Sequence, residues 1–133
     1  MGQKDYQQSL VVQQLLKTMN ADTAMIVCPT YRETNGLAMS SRNTRLTEKE
    51  KEDAGQIYQT LLYIKKNLKP GDLSLLKNHA ASLLTKAGFK IDYVEIADAI
   101  DLTLTNTWDG QQKLVALVAV FIRDVRLIDN MAL

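Results

Sequence analysis

An α+β fold, with helices packed on a small antiparallel sheet, is what the 133-residue sequence predicts. Three observations carry that expectation. Two consecutive stretches between residues 47 and 87 place their apolar side chains at helical spacing. Residues 90–130 then turn to β-branched, aromatic and continuously apolar segments, which suit strands. The last two of these segments are separated only by Arg123-Asp124-Val125, room for a tight antiparallel hairpin and not for a crossover helix.

The elements follow in order. Residues 5–20 read as a helix, with Val12, Leu15, Leu16 and Met19 on one stripe at i, i+3, i+4 and i+7. Asn20-Ala21-Asp22 breaks it. TAMIVC at 23–28 is a short apolar run suited to a buried strand, and Pro29 ends it because proline cannot donate to a ladder. From Thr30 to Leu46 no period survives. Asn35-Gly36 marks a turn, and Leu37 and Met39 point to a packed loop in place of a free linker. Structureless loops beyond roughly 12–15 residues are uncommon and tend to be functional or disordered. Thr47-Glu-Lys-Glu50 spells a capping box, opening a helix with Ala54, Ile57, Tyr58 and Leu61 on one face that runs to about Leu68. Pro70-Gly71 stops it. Asp72 reads as the N-cap of a second helix striped by Leu73, Leu76, Ala80, Leu83, Leu84 and Ala87, with Gly88 as its C-terminal stop. KIDYVEIAD at 90–98 reads as a strand, 107–112 as a connecting turn, and KLVALVAVFI at 113–122 as a central strand, apolar on both faces. The hairpin leads into RLIDN at 126–130. No internal repeat or low-complexity segment interrupts the chain.

Composition narrows the function. Hydrophobic residues make up 46% and charged residues 23%, enough for a packed single domain. Sixteen basic and fifteen acidic side chains leave a formal net charge of +1, which opposes bulk electrostatic capture of nucleic acid or an anionic membrane but permits a local anion site. A single cysteine, Cys28, cannot form an internal disulfide, and a cytoplasmic location is expected. The longest apolar run, Leu114 to Ile122, is too short to span a bilayer as a helix. MGQKDYQQ lacks the apolar core of a signal peptide, and Tyr6 breaks the myristoylation pattern.

Most reactive residues have plain structural readings. His79, the one histidine, lies mid-helix with no second ligand at metal spacing and reads as a partly exposed helix residue. Cys28 has no histidine nearby and reads as a small buried apolar residue. The acids at 48, 50, 52 and 53 alternate with Lys49 and Lys51, a solvated helix start favoured by the helix dipole. Two stretches invite more. In GLAMSSRN, 36–43, a glycine precedes two hydroxyls and a guanidinium, a set that matches phosphate oxygens; the bland alternative is an ordinary polar loop. In GQKDYQQ, 2–8, Gly2, Lys4 and Asp5 stand just before a helix, where free amides and a lysine attract anions; the bland alternative is an aspartate cap with solvent-facing neighbours.

In order along the chain, MGQKDYQQ, CPTYRETNGLAMSSRNTRL and RLIDNM resemble the pantothenate synthetase (pantoate–β-alanine ligase) family, with runs like FGEKDYQQ, VPTxREADGLAMSSRNxYL and RLIDN. DYVEIAD also stands where the family has a similar strand. Gln3, Asn35 and Arg45 depart from the usual glutamate, aspartate and tyrosine, and Met1 takes the place of an aromatic residue. Family members are roughly twice as long, and their first half is a Rossmann-like domain with an HxGH motif that this chain lacks. The resemblance therefore implies three regions. Residues 1–29 correspond to a helix-strand remnant of the nucleotide-binding domain, 30–46 to a hinge and phosphate-binding loop, and 47–133 to a C-terminal lid domain.

What it implies for chemistry is specific. The family uses ATP and Mg2+ to convert pantoate to pantoyl-adenylate, which β-alanine then attacks to give pantothenate. Ser40, Ser41 and Arg42 match the run that holds the β- and γ-phosphates, and Lys4 the lysine near the α- and β-phosphates; Arg42 and Lys4 are the expected catalytic residues. Gly2 and Asp5 match positions near the ribose, Gln8 a glutamine that hydrogen-bonds pantoate, and Thr30, Tyr31 and Met39 positions near the adenine, with Tyr31 acting through its backbone. The expected partners are the two substrates, the N-terminal nucleotide-binding half and, for the full-length enzyme, a second copy in a homodimer. By itself the chain is expected to be inactive. A reading from a different class is a catalytically inactive α+β interaction module that keeps the family's sequence.

Overall fold

A computed structural model describes residues 1–133. The chain is α+β. A 3-10 turn over Gln3–Asp5 leads into α1 (Tyr6–Thr18); a second 3-10 turn, Ser41–Arg45, precedes α2 (Glu48–Asn67). Then come β1 (Gly71–Asp72), α3 (Ser74–Lys86), β2 (Lys90–Asp98), β3 (Thr107–Trp108), β4 (Leu114–Ile122) and β5 (Val125–Ala132). The main sheet has the order β2-β4-β5, antiparallel throughout, and β1 pairs with β3 in a separate two-stranded ribbon. β4 is the central strand, as its apolar character on both faces requires.

The core lies between α2, α3 and the main sheet. Ile57, Leu61 and Ile64 of α2 meet Ala80 and Leu84 of α3, together with Ile96, Ala116, Val118, Val120, Val125 and Leu127 from the strands. Leu61 and Ile64 are fully buried, each contributing about 1.5–3 kcal/mol of burial free energy. The capping box forms as its residues require: Glu50 N donates to Thr47 Oγ1 at 3.2 Å and Thr47 N to Glu50 Oε2 at 2.8 Å. At the far end of α3, Phe89 N reaches Leu84 O and Gly88 N reaches Thr85 O, with Gly88 at φ +92°, so glycine closes the helix in the left-handed region. The β4–β5 turn is tight: Ile122 pairs with Val125 across Arg123-Asp124.

Several expectations need correction. α1 is shorter than 5–20, and its stripe is not a core stripe, since Leu15 and Met19 are exposed. Asn20 still ends the helix, in the left-handed region at φ 49°. Residues 23–28 are neither a strand nor buried. They run beside the N-terminus, held by the single parallel bridge Gly2–Cys28 and by bonds such as Gln3 N to Cys28 O at 2.7 Å. An apolar run becomes a strand only where a neighbouring strand pairs with it along its length and a face is covered; here the pairing is one bridge, and Ile26 has no cover. Cys28 is accordingly exposed. Asp72 sits one residue before the cap position, Leu73; its Oδ1 nevertheless accepts from Ser74 N at 2.7 Å. Residues 107–112 include the short strand β3, and the 30–46 loop holds the Arg32–Ala38 bridge and the second 3-10 turn.

Candidate functional site

The cleft of interest opens on the sheet surface away from α2 and α3. Strand alternation puts Val125 and Leu127 of β5 into the core and turns Arg126, Ile128 and Asn130 toward this opening. The N-terminal turn and the start of α1 form the opposite wall with Lys4, Asp5 and Gln8, and Arg42 closes one end. The cleft measures about 320 Å³. A smaller recess of about 10 Å³ adjoins it, sharing Lys4, Arg42 and Arg126 and adding Ser40 and Asn43.

Local bonds fix each wall. Ser40 Oγ accepts from Arg42 N at 3.2 Å, which caps the 3-10 turn and aims the Arg42 backbone. Buried Asn43 donates to Ala38 O at 3.1 Å, and its own amide reaches Ser40 O at 3.0 Å, so the serine-arginine segment is stapled from beneath. Upstream, Arg32 forks onto Asp129 at 2.6 and 3.0 Å, donates to Gly36 O at 3.0 Å and lies 4.4 Å over the Tyr58 ring. The N-terminal wall is anchored by the Tyr6 hydroxyl, which donates to Ala99 O at 2.6 Å. Burial, with help from the Asp98 charge, pushes that phenol above its ordinary range.

The electrostatics follow from what the cations lack. Lys4 and Arg42 reach the cleft from distant parts of the chain, and neither has a carboxylate within 4.0 Å. Arg126 is satisfied by Asp92 at 2.9 Å, and Asp129 by Arg32. Two cations without ion pairs face one opening that also carries the Asp5 carboxylate; the remaining positive charge attracts anions with a strength that falls with salt. No group of three or more His, Cys, Asp or Glu side chains could hold a metal ion. A magnesium ion held by one or two carboxylates together with phosphate oxygens needs no such cluster. No helix is long and apolar enough to cross a membrane.

Of the residues singled out by sequence, Lys4, Asp5, Gln8 and Arg42 line the cleft together, and Ser40 lines the recess. Ser41 is exposed on the turn beside them. Gly2 pairs with Cys28, behind that wall. Thr30, Tyr31 and Met39 line neither cavity: the Tyr31 and Met39 side chains are exposed, and Met39 N donates to Tyr31 O at 2.9 Å. Tyr93, Arg126, Asp129 and Asn130 were not singled out. The signal for three of them was RLIDN, polar residues inside an otherwise apolar strand.

Comparisons with known proteins give a family match. A family model described as pantoate-beta-alanine ligase matches residues 1–132. A pantothenate synthetase from Fervidobacterium nodosum is 41% identical over 132 residues, 98% of this chain and 46% of the relative. One from Thermodesulfovibrio yellowstonii is 43% identical, covering 98% of this chain and 47% of the relative. The chain therefore spans about half the length of the curated relatives it matches. A crystal structure of pantothenate synthetase from Thermus thermophilus superposes with a TM-score of 0.83 at 29% identity, over 98% of this chain and 48% of that one. A pantoate-beta-alanine ligase from Francisella tularensis, complexed with beta-gamma ATP and beta-alanine, gives a TM-score of 0.64 at 35% identity, over 98% and 41% of the two chains.

Proposed function

The chain belongs to the pantoate–β-alanine ligase family, and from that membership and the charge of its cleft we propose that it supplies the phosphate-holding lid half of an ATP-dependent ligase joining pantoate to β-alanine. The observation that carries the proposal is the convergence of Lys4 and Arg42, unpaired, on one opening. The division of labour follows the sequence: 1–29 completes the nucleotide-binding domain, 30–46 is hinge and phosphate loop, and 47–133 is the lid.

In this reading the pantoate carboxylate attacks the α-phosphorus of Mg-ATP, and pyrophosphate leaves. The β-alanine amine then attacks the acyl carbon of pantoyl-adenylate and expels AMP. Adenylate is a far better leaving group than hydroxide, so the chemistry needs no covalent enzyme intermediate. The residues position groups and stabilise charge. Lys4 meets the α- and β-phosphates. Arg42, with the Ser40 and Ser41 hydroxyls, takes the β- and γ-phosphates and accompanies the pyrophosphate as its charge grows. Gln8 holds pantoate from the wall of α1, Gly2 and Asp5 face the ribose, and the 30–31 backbone with Met39 borders the adenine. Arg42 is exposed, so its full electrostatic effect arises only when closure excludes water. The remaining pockets belong to the other half of the full-length enzyme, a cytoplasmic homodimer whose subunit contacts lie mostly in that half.

The test is pantothenate formation from pantoate, β-alanine and Mg-ATP by the chain mixed with a separately expressed nucleotide-binding half. Product is expected only with both halves present. Product from this chain alone overturns the division of labour. No product from two folded halves in a stable complex favours the inactive interaction module.

A further inference from the structure

RLIDN contains a pair of residues that no step of the proposed chemistry uses. Asp129 and Asn130 are adjacent on β5, and both are buried, 4% and 5% exposed. Because a strand alternates its faces, they point to opposite sides of the sheet. Asp129 takes the core-side direction and grips Arg32 through both oxygens, at 2.6 and 3.0 Å; its Oδ1 also accepts the Asn130 amide at 2.8 Å. Asn130 takes the cleft side. Its single Nδ2 donates to two successive carbonyls, Gln3 O and Lys4 O, each at 3.0 Å. Strand β5 thus holds the two cation-bearing segments at once: the loop that leads to Arg42 through one residue, and the turn that carries Lys4 through the next.

We propose that Asp129 and Asn130 form a two-pronged strut that sets the placement of Lys4 against the Arg42 loop, with Asn130 the positioning residue for Lys4. This deepens the phosphate-site reading given above and rests on it for its functional meaning. The side chains cannot exchange tasks. A carboxylate at 130 would face two carbonyl oxygens and repel both, and an amide at 129 would lose the charge that Arg32 meets. Both residues border the cleft, and their side-chain hydrogen bonds go to Arg32 and to the backbone of residues 3, 4 and 130. Their effect reaches the triphosphate through the backbone of Lys4 and through the Arg32–Gly36 stretch.

The test uses the 133-residue chain and two readouts. The first is backbone 15N relaxation. In the wild type, residues 2–5 and 32–38 should both be rigid, with order parameters near about 0.85; Asn130→Ala should drop residues 2–5 below about 0.6 and leave 32–38 unchanged. Asp129→Asn should loosen 32–38 and leave 2–5 unchanged. Both variants keep the Val125 and Leu127 core face of β5, and Asn130→Ser serves if Asn130→Ala does not fold. The second readout is inorganic tripolyphosphate titration of wild type, Lys4→Ala, Asn130→Ala and the double variant. Each single change should weaken binding by about 5–10-fold and the double change no further than Lys4→Ala alone, because the two act as one unit.

Residues 2–5 as rigid in Asn130→Ala as in wild type overturn the strut. So does loosening of both segments in both variants, which marks a general loss of stability. Selective loosening with additive affinity losses overturns the positioning role of Asn130. If the wild type binds no tripolyphosphate yet shows the selective loosening, the strut stands and the phosphate-site reading falls.

Discussion

Arg32 shows how a residue outside the chemistry can hold a site together. Its guanidinium satisfies a carboxylate that is only 3% exposed, caps the turn at Gly36 O and covers the Tyr58 ring. Removing it strands a buried charge, a larger penalty than the pair's net contribution. Arg32→Met is therefore expected to cost about 3–5 kcal/mol in urea unfolding, and a loss under about 1 kcal/mol would show that water reaches Asp129 freely. Arg42 presents the opposite case. It is exposed, it has no ion pair, and the only hydrogen bond of its side chain is a long one, 3.5 Å, to Arg126 O. Its side chain does little for the resting fold, and that freedom is what a closing phosphate ligand needs.

At the scale of elements, the start of α2 and the β4–β5 turn are clamped together. Arg123 donates to both oxygens of Glu50, at 2.7 and 2.9 Å, and to Arg45 O at 2.9 Å. The guanidinium, followed by the Thr47 amide, brings the Glu50 carboxyl from 4.5 down to about 2. A lowered folded value means stability that is present above the unfolded value and lost as pH falls toward the folded one. The melting temperature of wild type should therefore exceed that of Glu50→Gln above about pH 4.5, and the gap should close between there and about pH 2. A gap independent of pH would mean that the capping geometry matters and the charge does not. The loop before the clamp depends on Gly36, which sits at φ +90° with the Tyr58 ring where a Cβ would stand. Gly36→Ala should destabilise by about 1–3 kcal/mol from backbone strain alone. An unchanged melting curve would mean that the 33–37 turn can be redrawn at no cost.

Across the whole molecule, legibility tracked local grammar. The Thr47–Glu50 capping box, the Gly88 stop, the 90–98 strand and the central position of β4 were all readable, because each is dictated by neighbours within a few residues. The N-terminal region was read less well. The stripe Val12, Leu15, Leu16, Met19 has the spacing of a core face, and the 23–28 run has the composition of a buried strand. Periodicity says that a face is apolar; it does not say that this chain covers it. Leu15, Met19 and Ile26 remain exposed, and Cys28 with them. Around the cleft, Lys4, Gln8, Ser40 and Arg42, singled out through their motifs, line the opening or its recess. Asp129 and Asn130 were not singled out, because their importance lies in contacts with residues nearly a hundred or more positions away. The long 30–46 segment read as a loop, yet it holds a bridge and a 3-10 turn that bring Arg42 to the same opening as Lys4.

The most direct measurement is the rate of pyrophosphate release from Mg-ATP and pantoate by the reconstituted two-half enzyme, wild type against Arg42→Ala, with the melting temperature of each. A drop of about 100–1,000-fold in rate with little change in melting is expected, the loss typical of removing a group that meets developing charge. An unchanged rate, or a loss of activity matched by loss of the fold, would contradict the assignment of Arg42 as the lid's phosphate ligand.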